Sequence, residues 1–408
     1  METQRRKTAA FLRRRRVTAV PENSAPAPTS SFDPTLDLGE PDAPTAGKAP
    51  ETATPVSITL GTHNACNAKC IFCMEGRFGG FGLDFYKEFF EKKLGPYLAE
   101  AEQITFTGFG ETLLLPDIAP FLDHLNRTLP NTKKIFTTNG TALTPGVVEK
   151  LRTGKYLIQI SLHASRADIH EQLTLLPGEF SVILENIRAL RKAAGENLEI
   201  TLVNVVNTLN VDDLPEFVKL GWDLGVHRVR AYYLTAFKPE HLRLSCFFDQ
   251  ARANRALQAA RELHQSLASR DSSRRFQLFL PASFGSSQDA STSPVQCRLP
   301  WQHIFVDIYG SVLPCCQWGE VVDNLNKTSA EAIWNGPFYK TLRASMSSGD
   351  LLPACQKCPR FKPANVNDLL AHITSRPDQK KAILAALSPK DTGDVGADVS
   401  GKSLSLPC

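Results

Sequence analysis

No stretch of the 408 residues stays apolar for the roughly 18 to 20 positions that a membrane helix needs, so no helical span is expected. A secretion signal is missing too. Arg5-Arg6 and Phe11-Leu12 faintly resemble a twin-arginine signal, yet Arg13 to Arg16 stand where the apolar segment should begin, and none follows. A basic face is also lacking. Of 46 Lys/Arg and 42 Asp/Glu, seven and one fall in residues 1–20, which leaves 39 and 41 for the rest. A body so near neutral gives no electrostatic footprint for nucleic acid. The ten cysteines lack the even spread of a secreted disulfide framework. They form one tight triplet, one pair and a few scattered positions, which points to metal or redox work in a cytoplasmic protein.

What is present suits a globular enzyme. Hydrophobic residues make up 42% and charged residues 22%, and the length allows two or more domains around a large core. Residues 1–20 read as a solvated basic arm, with anionic lipid or nucleic acid as the alternative use. Residues 21–55 carry eight prolines among Ala, Thr, Ser and acidic residues and read as an unfolded linker. The end of the chain, from about Pro389 to Cys408, is polar, Gly/Ser-rich and expected to be loose.

The densest chemistry lies in residues 61–73, Gly-Thr-His-Asn-Ala-Cys-Asn-Ala-Lys-Cys-Ile-Phe-Cys. Cys66, Cys70 and Cys73 are spaced C-x3-C-x2-C on an irregular loop, which lets the side chains turn inward onto one centre. Zinc and an iron–sulfur cube each prefer four ligands. Either a fourth cysteine comes from elsewhere, or one iron stays open for a substrate or cofactor. A structural zinc knot is the plainer alternative.

Around this loop the pattern is α/β. Strands are expected at 56–62, 103–107, 133–138, 156–162, 198–206 and 228–234. Helices are expected near 84–98, 117–129, 145–153, 180–195 and 213–224. Six βα repeats imply a parallel sheet covered by helices, too few for a closed eight-fold barrel. The second strand leads into Thr107-Gly108-Phe109-Gly110-Glu111-Thr112, the third ends at Asn139-Gly140, and the fourth ends at Ser161-Leu162-His163. A helix at 249–267 and a strand at 276–280 form a bridge.

The cysteine loop, with Phe72 just before its last cysteine, resembles the cluster loop of radical S-adenosylmethionine (radical SAM) enzymes. The resemblance implies a partial (β/α)6 TIM-like barrel. Cys66, Cys70 and Cys73 would hold a [4Fe–4S] cluster whose fourth iron binds S-adenosylmethionine, and Phe72 would lie near the adenine. Gly110 and Glu111 match the family's Gly-Gly-Glu-Pro motif, which holds the methionine amino group. Phe109 and Thr112 depart from it. Ser161 and Asn139 are further cofactor contacts on this pattern. His163 would be a substrate contact or a structural histidine, and Val205 or Val206 would pack on adenine or simply in the core.

A second cysteine set follows. Cys297 precedes a strand-like run, 301–308, then the turn Tyr309-Gly310 and Cys315-Cys316, so a hairpin would pair Cys297 with Cys315. A helix-like segment, 329–334, leads to Cys355-x2-Cys358. Four thiolates suit zinc or a cubane. After a radical SAM barrel the set resembles the auxiliary-cluster SPASM domain in its short "twitch" form, with one [4Fe–4S] cluster on Cys297, Cys315, Cys355 and Cys358. Cys316 is the ambiguous neighbour of Cys315.

The expected organisation is a disordered arm (1–55), the barrel (56–235), a bridge (236–296), the SPASM/twitch domain (297–365) and a helical or disordered tail (366–408). The expected activity is reductive cleavage of S-adenosylmethionine and hydrogen abstraction from a C–H bond. The auxiliary cluster would transfer electrons, and a flavodoxin or ferredoxin would donate them. A small-molecule or peptide substrate is open, and Cys246 is a weak candidate hydrogen donor. The competing reading is a zinc scaffold with an Arg-rich nucleic-acid-binding arm.

Overall fold

The computed structural model describes residues 54–387, apart from 63–64, 74–85, 108–109, 116, 287–296, 317, 319, 357, 359–364 and 375–376. The expected basic arm, all of the Pro-rich linker but its last two residues, and the end of the tail lie outside the described residues.

The six expected strands form in place: β1 (Ser57–Gly61), β2 (Gln103–Thr107), β3 (Lys133–Thr138), β4 (Tyr156–Ser161), β5 (Leu198–Val206) and β6 (Arg228–Tyr233). Each pairs in parallel with the next, for example Ile58 with Ile104 and Ile158 with Ile200. The crossovers are helical. A π-helical stretch, Tyr86–Lys93, runs into α1 (Leu94–Leu98), and α2 (Ile118–Thr128) and α3 (Pro145–Arg152) follow the next two strands. Two helices, α4 (Ala167–Thr174) and α5 (Phe180–Ala193), join β4 to β5, and α6 (Leu214–Asp223) joins β5 to β6.

Local chemistry explains these limits. The Thr144 hydroxyl caps the Val147 N–H with Pro145 opening α3, where a missing N–H costs nothing. Helix α5 buries Phe180, Ile183, Ile187 and Leu190, a one-faced spacing of three, four and three. Gly140 sits at φ +81°, and a Cβ there would stand 3.0 Å from Ile183. Only glycine meets both demands.

Alternation along the strands separates two faces. Ile58, Leu60, Ile104, Phe106, Phe136, Ile158, Ile160, Ile200 and Leu202 join the main core with Phe121, Leu122, Leu125, Leu151 and Ile187 from the helices. The opposite face is the polar inside of the partial barrel. There Thr137 bonds Gln159 at 3.3 Å, Lys133 pairs with Glu199 at 3.3 Å, Arg228 pairs with Glu199, and Arg228 reaches Gln277 at 2.7 Å. Burial pushes the Glu199 carboxyl up, but the Lys133 and Arg228 charges outweigh it and hold it below its usual range.

The sheet does not stop at six strands. After α7 (Gln250–Arg270), β7 (Gln277–Phe279) adds in parallel beside β6. A helical turn, α8 (Leu299–Gln302), starts where a strand was expected. It leads to β8 (His303–Val306), which pairs in parallel with β1 and antiparallel with β9 (Ser311–Leu313). With β10 (Asp323–Asn324) the order is β10-β9-β8-β1-β2-β3-β4-β5-β6-β7, one continuous sheet. Sheet hydrogen bonding therefore crosses the boundary expected at residue 297. A Cβ on Gly61 would lie 2.7 Å from the Ile308 backbone nitrogen, so close approach here requires glycine. Three helices follow: α9 (Ala330–Trp334), α10 (Pro337–Ser348) and α11 (Pro353–Gln356). The last described helix, α12 (Pro377–Ala385), belongs to a tail that returns to the barrel. Ala236 bridges Ile373 and clusters with Leu369 and Ile383.

Candidate iron–sulfur and cofactor site

The cysteine loop leaves the C-terminal end of β1 and is held by backbone hydrogen bonds from three elements. The Thr62 N–H donates to Thr107 O at the end of β2 (3.0 Å), and the Glu111 N–H donates to Ala65 O (2.8 Å). The Lys69 and Ile71 N–H groups donate to Thr174 O (2.8 Å) and Leu173 O (2.9 Å) at the end of α4. A turn closes the triplet, with the Cys73 N–H on Cys70 O at 3.1 Å. Cys66 and Cys70 are half-buried and Cys73 is exposed.

Glu111 lies beside this loop, 2% exposed. Its carboxylate accepts from the Leu113 N–H at 3.1 Å and from the Asn139 N–H at 2.5 Å. Burial is the dominant influence and pushes its pKa up to about 7, against the hydrogen bonds from Asn139, Thr138 and Leu113. Asn139 joins the two sides of the site. Its side-chain amide donates to Asn67 Oδ1 at 2.7 Å and stands 4.0 Å from Cys66 Sγ, while Asn67 in turn donates to Thr141. Asn67 and Thr138 were not singled out in the sequence; a small polar residue at a strand end was the available signal for Thr138, and for Asn67 only its place between two loop cysteines. Gly110 is half-buried at the same turn, and Ser161 is half-buried at the end of β4.

Phe72 meets His163 edge-on, with ring centroids 4.9 Å apart. His163 is structural in its bonding. Its Nδ1 accepts from the Val205 N–H (3.3 Å), and its carbonyl accepts from the Asn204 and Asn210 side chains at 3.1 and 2.8 Å. Burial, then the neighbouring His170, lowers its pKa to about 3, so the ring is neutral. Val206 is packed in the core, and Val205 is half-buried. Cys246 is a core residue whose thiol burial pushes up to about 12, which keeps it protonated.

The second set brackets β8, with Cys297 before it and Cys315, Cys355 and Cys358 after it. Burial, then the neighbouring Cys297 and Cys358, pushes the Cys355 thiol up to about 12, so these three sulfurs share one environment. Cys315 stands by Tyr339, whose phenol is pushed up by burial and then by that thiol. Cys316 instead packs with Phe305 and Leu313 in a small apolar cluster. Arg343 braces the region. Its guanidinium stacks 4.4 Å from the Trp334 ring and 5.3 Å from Tyr339, and it donates to Pro300 O and Trp334 O.

Among the described residues, no three His, Cys, Asp or Glu side chains already converge on a point that would hold a single metal ion. A cubane offers its thiolates to separate irons, so its ligands stand wider apart. The donor chemistry fits such a group at both places: three thiolates beside a buried carboxylate at one, and all-sulfur surroundings at the other. A Cys355 thiol pushed up by burial and then by neighbouring sulfurs gives up its proton to a bound metal.

A parallel barrel with a cysteine loop over its strand ends, followed by a thiolate-rich hairpin, defines an iron–sulfur protein built to hold a second ligand. Residues 61–221 match the radical SAM superfamily model, and residues 297–359 match the SPASM iron–sulfur cluster-binding domain. The chain belongs to the radical SAM superfamily and carries a C-terminal SPASM domain. It is 26% identical over 189 residues to AdoMet-dependent heme synthase of Methanosarcina barkeri, covering 45% of this chain and 52% of that protein. It is 27% identical over 185 residues to mycofactocin maturase MftC of Mycolicibacterium smegmatis, covering 43% and 45%. The chain thus spans about half the length of these curated relatives. In fold it is similar to Streptococcus suis SuiB bound to S-adenosylmethionine (TM-score 0.56, 15% identity, 77% of this chain and 72% of SuiB). It is also similar to anSMEcpe with bound AdoMet (TM-score 0.53, 17% identity, 74% and 88%). The cofactors are therefore two [4Fe–4S] clusters and S-adenosylmethionine. No described helix is long and apolar enough to cross a membrane.

Proposed function

We propose that the protein cleaves S-adenosylmethionine reductively and uses the resulting radical to abstract hydrogen from a C–H bond of a substrate held in the barrel. The observation that carries this reading is the closure of the cysteine loop onto Glu111 and Asn139 at the strand ends. The first cluster, on Cys66, Cys70 and Cys73, supplies an electron and an open iron when bound. Glu111 receives the ammonium group of the cofactor, with its carboxylate aligned by the Leu113 and Asn139 N–H groups. Gly110 lets the backbone come close, Ser161 offers a hydroxyl at the end of β4, and Phe72, backed by His163, sets the adenine side. The polar lumen lined by Thr137, Gln159 and Glu199 encloses the substrate and keeps a reactive radical from side reactions.

Cys297, Cys315, Cys355 and Cys358 hold the auxiliary cluster. Four thiolates leave no iron for substrate, which supports electron transfer and a net oxidation such as dehydrogenation. SuiB has been solved bound to its precursor peptide SuiA, and MftC is a maturase by name; peptide modification is accordingly one substrate class and a small molecule the other. The electron donor is a flavodoxin or ferredoxin, and the setting is the cytoplasm. The test is anaerobic reconstitution with dithionite and S-adenosylmethionine. About eight irons per chain and release of 5′-deoxyadenosine are expected; two zincs and no cleavage would overturn the reading.

A further inference from the structure

Helix α4 spans eight residues, and its end meets the cluster loop directly. The last carbonyls of a helix have no partner within it and need one elsewhere. Here Leu173 O and Thr174 O accept from the Ile71 and Lys69 N–H groups, which flank Cys70. The chain can turn away at that point because Leu175 adopts the left-handed conformation, φ 54° and ψ 42°, with its N–H returning to Glu171 O at 2.8 Å. It is the one non-glycine residue at positive φ among the described residues. Glycine usually fills this place after a helix, since a β-carbon is strained there. The Leu175 side chain is 48% exposed, so burial of leucine does not account for the strain. Within the same helix His170 Nδ1 accepts from the His163 N–H (3.2 Å), and His163 supports Phe72. The helix therefore grips the loop at both Cys70 and Phe72.

We infer that the C-terminal turn of α4, latched by Leu175 in the left-handed conformation, is a positioning element for the cluster loop. It takes the two amides beside Cys70 and so withholds them from the cluster sulfurs. Hydrogen bonds to those sulfurs are one determinant of cluster potential. Two committed donors therefore favour the strongly reducing cluster that the proposed cleavage requires, and the inference rests on that reading for its function though not for its geometry.

The test is a series at Leu175 in the full chain, read by amide hydrogen exchange at Lys69 and Ile71, by iron release to a chelator, and by cluster midpoint potential. Leu175→Val and Leu175→Ile carry β-branched side chains that resist the left-handed region. They should exchange and release iron about 5- to 30-fold faster, with a more positive potential. Leu175→Gly and Leu175→Asn tolerate that region and should exchange no faster than wild type. The opposite ranking, with Val mild and Gly and Asn loosened, would mean that side-chain packing is responsible and overturns the inference, as would four equal variants. If the β-branched variants fail to fold, faster exchange in Leu175→Gly alone is enough to overturn it. Wild-type protein that binds no iron would defeat the functional reading, while the exchange ranking would still judge the latch.

Discussion

The two cysteine regions are built in opposite ways. The first gathers three thiols within eight residues and leaves them half-buried or exposed, on a loop steadied by peptide groups of β2, α4 and the Glu111 turn. The second draws Cys297, Cys315 and the adjacent pair Cys355 and Cys358 from three places in the chain, with Cys297 buried, the others half-buried, and Tyr339, stacked on Arg343, beside Cys315. A ligand-accepting site needs an open face on a rigid mount. An electron-transfer site needs enclosure, and its ligands come together only when the surrounding core has formed. The first should therefore lose cleavage without losing the fold, and the second should lose its cluster and its local packing together while the first site still works.

The sharpest break of that contrast is at the first loop. Cys66→Ala, Cys70→Ala or Cys73→Ala should each abolish 5′-deoxyadenosine formation while the far-ultraviolet circular dichroism spectrum stays unchanged. Full cleavage by any of the three would remove it from the ligand set. At the second site, Cys297→Ala, Cys315→Ala, Cys355→Ala or Cys358→Ala should leave cleavage intact, make about four of the irons labile, and stop substrate turnover. Cys316→Ala should be mild, since that side chain packs with Phe305 and Leu313. If Cys316→Ala empties the site and Cys315→Ala does not, the two neighbours exchange roles.

Glu111 gives the open site a pH signature. With its pKa pushed up to about 7 by burial, the carboxylate that an ammonium needs is present above that value and lost below it. S-Adenosylmethionine affinity, followed by calorimetry, should weaken as pH falls through 7, approaching tenfold per unit. Glu111→Gln should bind weakly at every pH. In the ligand-free protein the sign is reversed. The folded state holds this proton more tightly than the unfolded chain, so Glu111 lowers stability as pH rises from the ordinary Glu range to about 7.

At the enclosed site, Arg343→Ala should cost about 2 kcal/mol through lost stacking and packing, seen as a lower Tm and faster iron loss from that cluster alone. Equal loss from both clusters would show that the two regions are not independently mounted. The smallest effect is expected from deletion of residues 1–53, whose composition cannot build a core. Cleavage by the shortened protein should match the full chain.

Six strands and five helices of the barrel were legible in residue pattern because their apolar positions repeat at two or at 3.6 residues. The cysteine spacing likewise carries the proposed first ligand set. Helix α4 escaped notice because its buried stripe is His170, Leu173 and Thr174, with one strongly apolar member, whereas α3, of the same length, buries Val147, Val148 and Leu151. The strand-like 301–308 run begins as a helical turn, since Pro300 suits a first turn and removes a ladder donor.

By itself, then, the sequence determined the order of elements and which side chains can bind metal, because both follow from local spacing and side-chain chemistry. Tertiary structure decided the rest. It placed β8 beside β1 across some 245 residues, set Asn139 against Cys66, buried Glu111 until its pKa moved, and brought the end of α4 to the amides beside Cys70. Those outcomes depend on which groups leave water together, and no local window of residues contains that information.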